Sequence, residues 1–236
     1  MNLRTFHYRL IFLFSFSIFG FSLDNKDINI RLNYPPMVYV IGDSHAGEFV
    51  GIPHCHCLEI GQITMHRIGR DVLNCVNLPI TLRKYPFEDG DVVVFALGQI
   101  DVGWNILKVK YKQNRDLDEI IETLAVNYIN ALKIICKPYP NTLPIVYSIT
   151  PPTNNDYTPP YVGTLEERIV VTKRLNNLLQ KLCYNNSIEF LDVYDDYADE
   201  IGALKLELSD GNHHIANDCK LMIQNRLFNI LNKYLK

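Results

Sequence analysis

Hydrophobic and polar positions along this chain of 236 residues fall into two alternating patterns. Short runs in which nearly every position is apolar recur at MVYVI (37–41), ITMHRI (63–68), VVVFAL (92–97), PIVYSI (144–149) and IEFLDV (188–193). Longer stretches of helical period lie between and after them, at 117–137, 164–184 and 219–235. Strands apolar on both faces, alternating with amphipathic helices, predict a parallel sheet covered by helices on both sides, an α/β fold. Within 117–137, Ile120, Ile121, Leu124, Tyr128, Leu132 and Ile135 recur three or four residues apart. Asp118, Glu119 and Glu122 fill the first turn, where carboxylates favour the helix dipole. Thr164, with Glu167 three residues on, predicts a capping box at the start of the next helix.

Composition adds the boundaries. A hydrophobic content of 47% suffices for a real core, and residues 23–236 are expected to form a single domain. Residues 1–22 carry Arg4 and Arg9, then an apolar run over 10–21, with small Gly20 and Ser22 at its end. That run falls short of the ~20 apolar residues that span a bilayer, so it reads as a signal peptide for export. An uncleaved membrane anchor is the alternative, and membrane contact is expected only in that case. The net charge of −3 with scattered basic residues excludes an electrostatic footprint for nucleic acid. The 6 cysteines follow no readable disulfide framework. In His54-Cys55-His56-Cys57 the spacing departs from Cys-x2-Cys and no second pair follows, so no metal and no cofactor is expected. Oligomeric state is left open.

The stretch YVIGDSHAGEF places Gly42-Asp43-Ser44-His45 at the end of the first strand. In a parallel α/β sheet, functional loops gather at the carboxyl ends of the strands. A serine hydroxyl there needs a base. His45 adjoins Ser44, and a neighbouring side chain usually points away. LSDGNHHIA (208–216) supplies a better set, with Asp210 to orient an imidazole and His213 to take the serine proton. His214 is the alternative base. The Pro-rich loop over 150–164 follows a strand at the same edge, with Tyr157 and Tyr161 as candidates for substrate contact.

A GDS sequence directly after the first strand, with Asp-x-x-His before the last helix, resembles the SGNH hydrolase superfamily, also called GDSL esterases and lipases. The resemblance implies a flavodoxin-like three-layer sandwich with a mostly parallel five-stranded sheet. It also implies a serine esterase that acts on a small O-acyl ester through an acyl-serine intermediate. Ser44, Asp210 and His213 then match nucleophile, acid and base. For the oxyanion hole it implies the Ser44 N–H, a glycine after the second strand, matched to Gly69, and an asparagine after the third. The last position holds Ile100, which cannot donate, leaving Gln99 or Asn105 as candidate replacements. An uncharacterised glycan-associated branch with a Gly-Glu-Ile-Asp block is similar to GQID (98–101) here, and would make an O-acetyl group on a carbohydrate the target. Arg67, Arg70 and Asp101 would form a charge group near the site. The alternatives are a catalytically impaired glycan-binding protein and an O-acyltransferase using the same serine.

Overall fold

In the computed structural model, which describes residues 30, 32, 36–73, 87–153 and 160–235, five strands form one all-parallel sheet in the order β2-β1-β3-β4-β5. They are β1 (Val38–Gly42), β2 (Cys55–Glu59), β3 (Val92–Ala96), β4 (Leu143–Tyr147) and β5 (Glu189–Leu191). This is the flavodoxin-like strand order, whose switch point lies between β1 and β3. The helices are α1 (Met65–Leu73), α2 (Ile106–Gln113), α3 (Leu117–Cys136), α4 (Leu165–Asn185), α5 (Tyr194–Tyr197) and α6 (Leu221–Leu231). The central strands are buried on both faces because alternate side chains enter two separate cores. Ile41, Val93, Phe95 and Val146 pack with α1, α3 and α4, whereas Val40, Val92, Val94, Ala96 and Ile145 pack with α5 and α6.

The expected strands in 37–41, 92–97, 144–149 and 188–193 form, as do the long helices and the Thr164 capping box. The expected strand at 63–68 does not: this segment opens α1. Its buried residues Met65, Ile68, Gly69 and Val72 fall at helical spacing, and Arg67 and Arg70 point outward. The second strand is instead CHCLE (55–59), an edge strand with one partner, β1, none of whose residues is fully buried and whose side chains alternate between the two faces of the sheet. That alternation also separates the Cys and His side chains. Cys55 and Cys57 pack against one core, while His56 stacks on Tyr39 at 5.7 Å. No helix among the described residues is long and apolar enough to cross a membrane. The expected signal peptide, Cys75 and Tyr157 lie outside the described residues.

Candidate active site

Ser44 begins a short 3-10 turn (Ser44–Phe49) at the carboxyl end of β1. Gly42 pairs with Ala96 on β3, so close to it that a Cβ would stand 2.1 Å from the Ala96 carbonyl oxygen. The strand therefore ends in a residue without a side chain. Asp43 caps the turn by accepting from the His45 N–H at 3.0 Å, leaving Ser44 at the surface. On the far side, Lys220 donates to the carbonyls of Gly47 and Val50 at 3.0 and 3.3 Å, tying the start of α6 to the end of the turn.

The loop over 208–216 brings the other half of the site. Ser209 and Ile215 bridge in antiparallel fashion, Asp210 N–H donates to the His214 carbonyl at 3.0 Å, and Gly211 turns the chain in the left-handed region at φ +85°. Asp210 and His214 consequently face each other. His214 Nδ1 lies 3.2 Å from Asp210 Oδ2, and His214 Nε2 lies 2.9 Å from the Ser44 hydroxyl. Sequence spacing favoured His213; the folded loop puts His214 against the serine. His213 turns inward, 8% exposed, with its ring tilted by 38° against that of His214 at a centroid distance of 3.9 Å. The spacing is thus Asp-x-x-x-His, one residue longer than the family pattern.

The electrostatics suit this chain of contacts. Burial raises the Asp210 carboxyl, but the N–H groups of Asn212 and His214 and the His214 ring outweigh burial and hold it below its usual range. Burial lowers His214 and the positive charge of His45 lowers it further, more than Asp210 raises it. Both causes favour the neutral imidazole, the form that can accept a proton. Burial and the two neighbouring imidazoles push His213 down to about 4.

The expected oxyanion groups fare differently. Gly69 sits in the middle of α1, its N–H within the helix, where a Cβ would stand only 3.1 Å from the Asn127 Cβ of α3. It cannot serve as a glycine after a strand. The glycine that follows the observed second strand is Gly61, at φ +78° with nothing within 4 Å of a built Cβ. Its neighbour Ile60 donates to the Gly42 carbonyl at 2.9 Å, which sets Gly61 beside the serine turn. Asn105 lies in a π-helical turn (Asp101–Asn105) and is directed at Asp101, 3.5 Å away. Gln99 lines a small cavity with Asp43, His45 and Ser148. Ile100, at the start of the π-helical turn, supplies no donor there.

Arg67 and Arg70 pair with Asp71 at the surface, at 3.4 and 2.7 Å, not with Asp101. Asp101 is fully buried and accepts from the N–H of Met65 at 2.8 Å, capping α1 from another loop. Burial pushes its carboxyl up to about 7 in spite of that bond. Replacing Asp101 with alanine is expected to cost about 2–3 kcal/mol, because the first turn of α1 loses its buried acceptor. A urea-denaturation midpoint equal to that of the natural protein would contradict this role.

His45, His213 and His214 each place one ligating nitrogen within 4.8 Å of the others. The rings of His45 and His214 already have partners. Asp43 holds the His45 Nδ1, and Ser44 and Asp210 engage both nitrogens of His214. A cleft of about 180 Å³ opens at the serine, lined by Ser44, Gly47, Glu48, Asp210, His214 and Lys220 among others. Tyr161 lies elsewhere on this edge, between the Trp104 ring at 4.8 Å and the Arg168 guanidinium at 4.2 Å.

No family model matches the chain, and no curated protein does. Solved structures do match. A GDSL-like lipase from Bacteroides thetaiotaomicron superposes with a TM-score of 0.60 at 14% identity, covering 87% of this chain and 92% of the other. Phospholipase A1 from Streptomyces albidoflavus gives 0.52 at 12% identity, covering 84% and 99%. An acetylxylan esterase from Geobacillus stearothermophilus gives 0.50 at 12% identity, covering 85% and 95%. Together with the strand order and the serine turn at the end of β1, these likenesses give the chain the fold of the SGNH hydrolases, the superfamily of GDSL-like lipases and esterases.

Proposed function

We propose that the protein is a serine ester hydrolase in which Ser44 is the nucleophile, His214 the general base and acid, and Asp210 its orienting carboxylate. The carrying observation is the distance of 2.9 Å between His214 Nε2 and the Ser44 hydroxyl, with Asp210 3.2 Å behind the ring. His214 takes the hydroxyl proton as the oxygen attacks an ester carbonyl. It then returns that proton to the departing alcohol, leaving an acyl-Ser44 ester. Water activated by the same imidazole releases the acid and restores the serine. Asp210 stabilises the imidazolium that forms in each half-reaction. The N–H groups of Ser44 and Gly61, with the Gln99 amide, are the donors assigned to the developing oxyanion in place of an asparagine.

A cleft of about 180 Å³ is small beside the ~300–1,000 Å³ of sites for drug-sized ligands, which favours a short acyl group. An O-acetylated carbohydrate is the substrate class we favour, a reading supported by the acetylxylan esterases among the structural neighbours. A fluorophosphonate probe is expected to label Ser44, as mapped by peptide mass spectrometry, and to leave Ser44→Ala unlabelled. The natural protein should hydrolyse p-nitrophenyl acetate faster than the octanoate. Absence of both labelling and hydrolysis would remove the esterase reading.

A further inference from the structure

The turn that carries Ser44 flanks His214 on both sides, holding the backbone by a hydrogen bond on one and placing a buried imidazole on the other. On one side, Glu48 Oε1 accepts from the Ile215 N–H at 3.2 Å while its Oε2 accepts from the Tyr147 hydroxyl at 2.8 Å. On the other side stands His45, 5% exposed, with Nδ1 at 2.9 Å from Asp43 Oδ1. Its Nε2 makes no regular hydrogen bond, but the backbone carbonyl of His213 is close enough to favour the protonated ring. The His45 ring centroid lies 4.7 Å from that of His214.

We propose that His45, anchored by Asp43 and supported by Glu48, is a positioning residue that holds His214 in register with Ser44 and opposes protonation of the His214 ring. Neither His45 nor Glu48 has a hydrogen bond to the Ser44 hydroxyl, so both act through His214. For its kinetic readout alone, the inference rests on the esterase reading.

The charge balance favours an imidazolium at His45. Burial lowers it, but Asp43, Glu48 and the His213 carbonyl raise it to about 9. The groups facing it are Asp43 and Glu48 from its own segment and His213 and His214 from the 208–216 loop. Tyr147 of β4 and Lys220 at the start of α6 act on Glu48. Asp210, His45 and Asp43 bear on His214, and the His213 ring packs against it. A positive charge beside His214 disfavours a second one there, whereas Asp210 and Asp43 favour it. Losing the His45 charge therefore raises the pH at which His214 loses its proton.

The test is the pH profile of kcat/KM for p-nitrophenyl acetate in the natural protein and in His45→Gln, whose amide can still donate to Asp43. The expected result is a fall in kcat of about tenfold with KM nearly unchanged, and an acidic limb moved up by about one pH unit. A loss of activity with an unmoved limb would reduce His45 to a structural support and overturn the proposal, as would unchanged kinetics. NMR titration of the histidine rings supplies a readout independent of turnover. In the natural protein His45 should titrate near the expected value of about 9, and His45→Gln should raise the His214 titration. A natural-protein His45 that titrates at or below the ordinary histidine value overturns the proposal even if the variant fails to fold. An inert natural protein whose rings titrate as expected would sink the esterase reading and support the coupling.

Discussion

Replacing His214 with alanine is expected to lower kcat against p-nitrophenyl acetate by about 10⁴-fold or more, while His213→Ala stays within about tenfold of the natural protein. The contrast follows from one contact. His214 Nε2 is 2.9 Å from the serine hydroxyl, so its loss leaves Ser44 without a proton acceptor. A serine hydroxyl at neutral pH is a weak nucleophile on its own, which is why triad members fail almost as a unit. His213 packs its ring against that of His214 and sets its backbone carbonyl near His45, and alanine keeps the carbonyl. Its removal opens space beside the His214 ring at 3.9 Å, a cost in orientation rather than in chemistry. Steady-state kinetics of the two variants, with thermal melts to show that both fold, decide between the histidines. If His213→Ala proved the dead variant, the base assignment would be reversed.

Gly42→Ala is expected to destabilise the protein by at least about 3 kcal/mol and to reduce its soluble yield. An alanine Cβ would meet the Ala96 carbonyl oxygen at 2.1 Å and its carbonyl carbon at 2.9 Å. Backbone cannot swing aside as a flexible side chain can, so β1 and β3 must separate at the end where the serine turn begins. Activity should fall with stability, since Asp43 and Ser44 follow directly. Gly61→Ala is the useful comparison. It has open space around a Cβ and only its φ of +78° to strain it, so a loss of about 1 kcal/mol is expected. Urea denaturation of the pair measures the difference, and equal midpoints would show that β1 and β3 can part at little cost.

Both results depend on features of very different legibility. The central strands and the long amphipathic helices could be read directly, because burial on two faces or on one helical stripe writes its period into adjacent residues. So could Ser44 and Asp210, whose polar sequences interrupt those patterns at an element's end. The edge strand over 55–59 could not. With one neighbour, it carries a mixed Cys-His-Cys-Leu-Glu pattern, while the more apolar segment after it winds into α1. Because that segment is a helix, Gly69 lies inside it, and the glycine that follows the second strand is Gly61.

The sequence by itself determined the class of the fold, the place of Ser44 at the end of a strand and the presence of a carboxylate and two histidines before the last helix. Only the tertiary structure decided which histidine serves Ser44. Gly211 in the left-handed region and the Ser209–Ile215 bridge set Asp210 opposite His214, a matter of loop geometry that residue spacing does not encode. The same is true of the charges behind the site. Glu48 finds its partners Tyr147 and Ile215 at distances of 99 and 167 residues along the chain, and a buried carboxylate can be recognised only after folding has brought them to it.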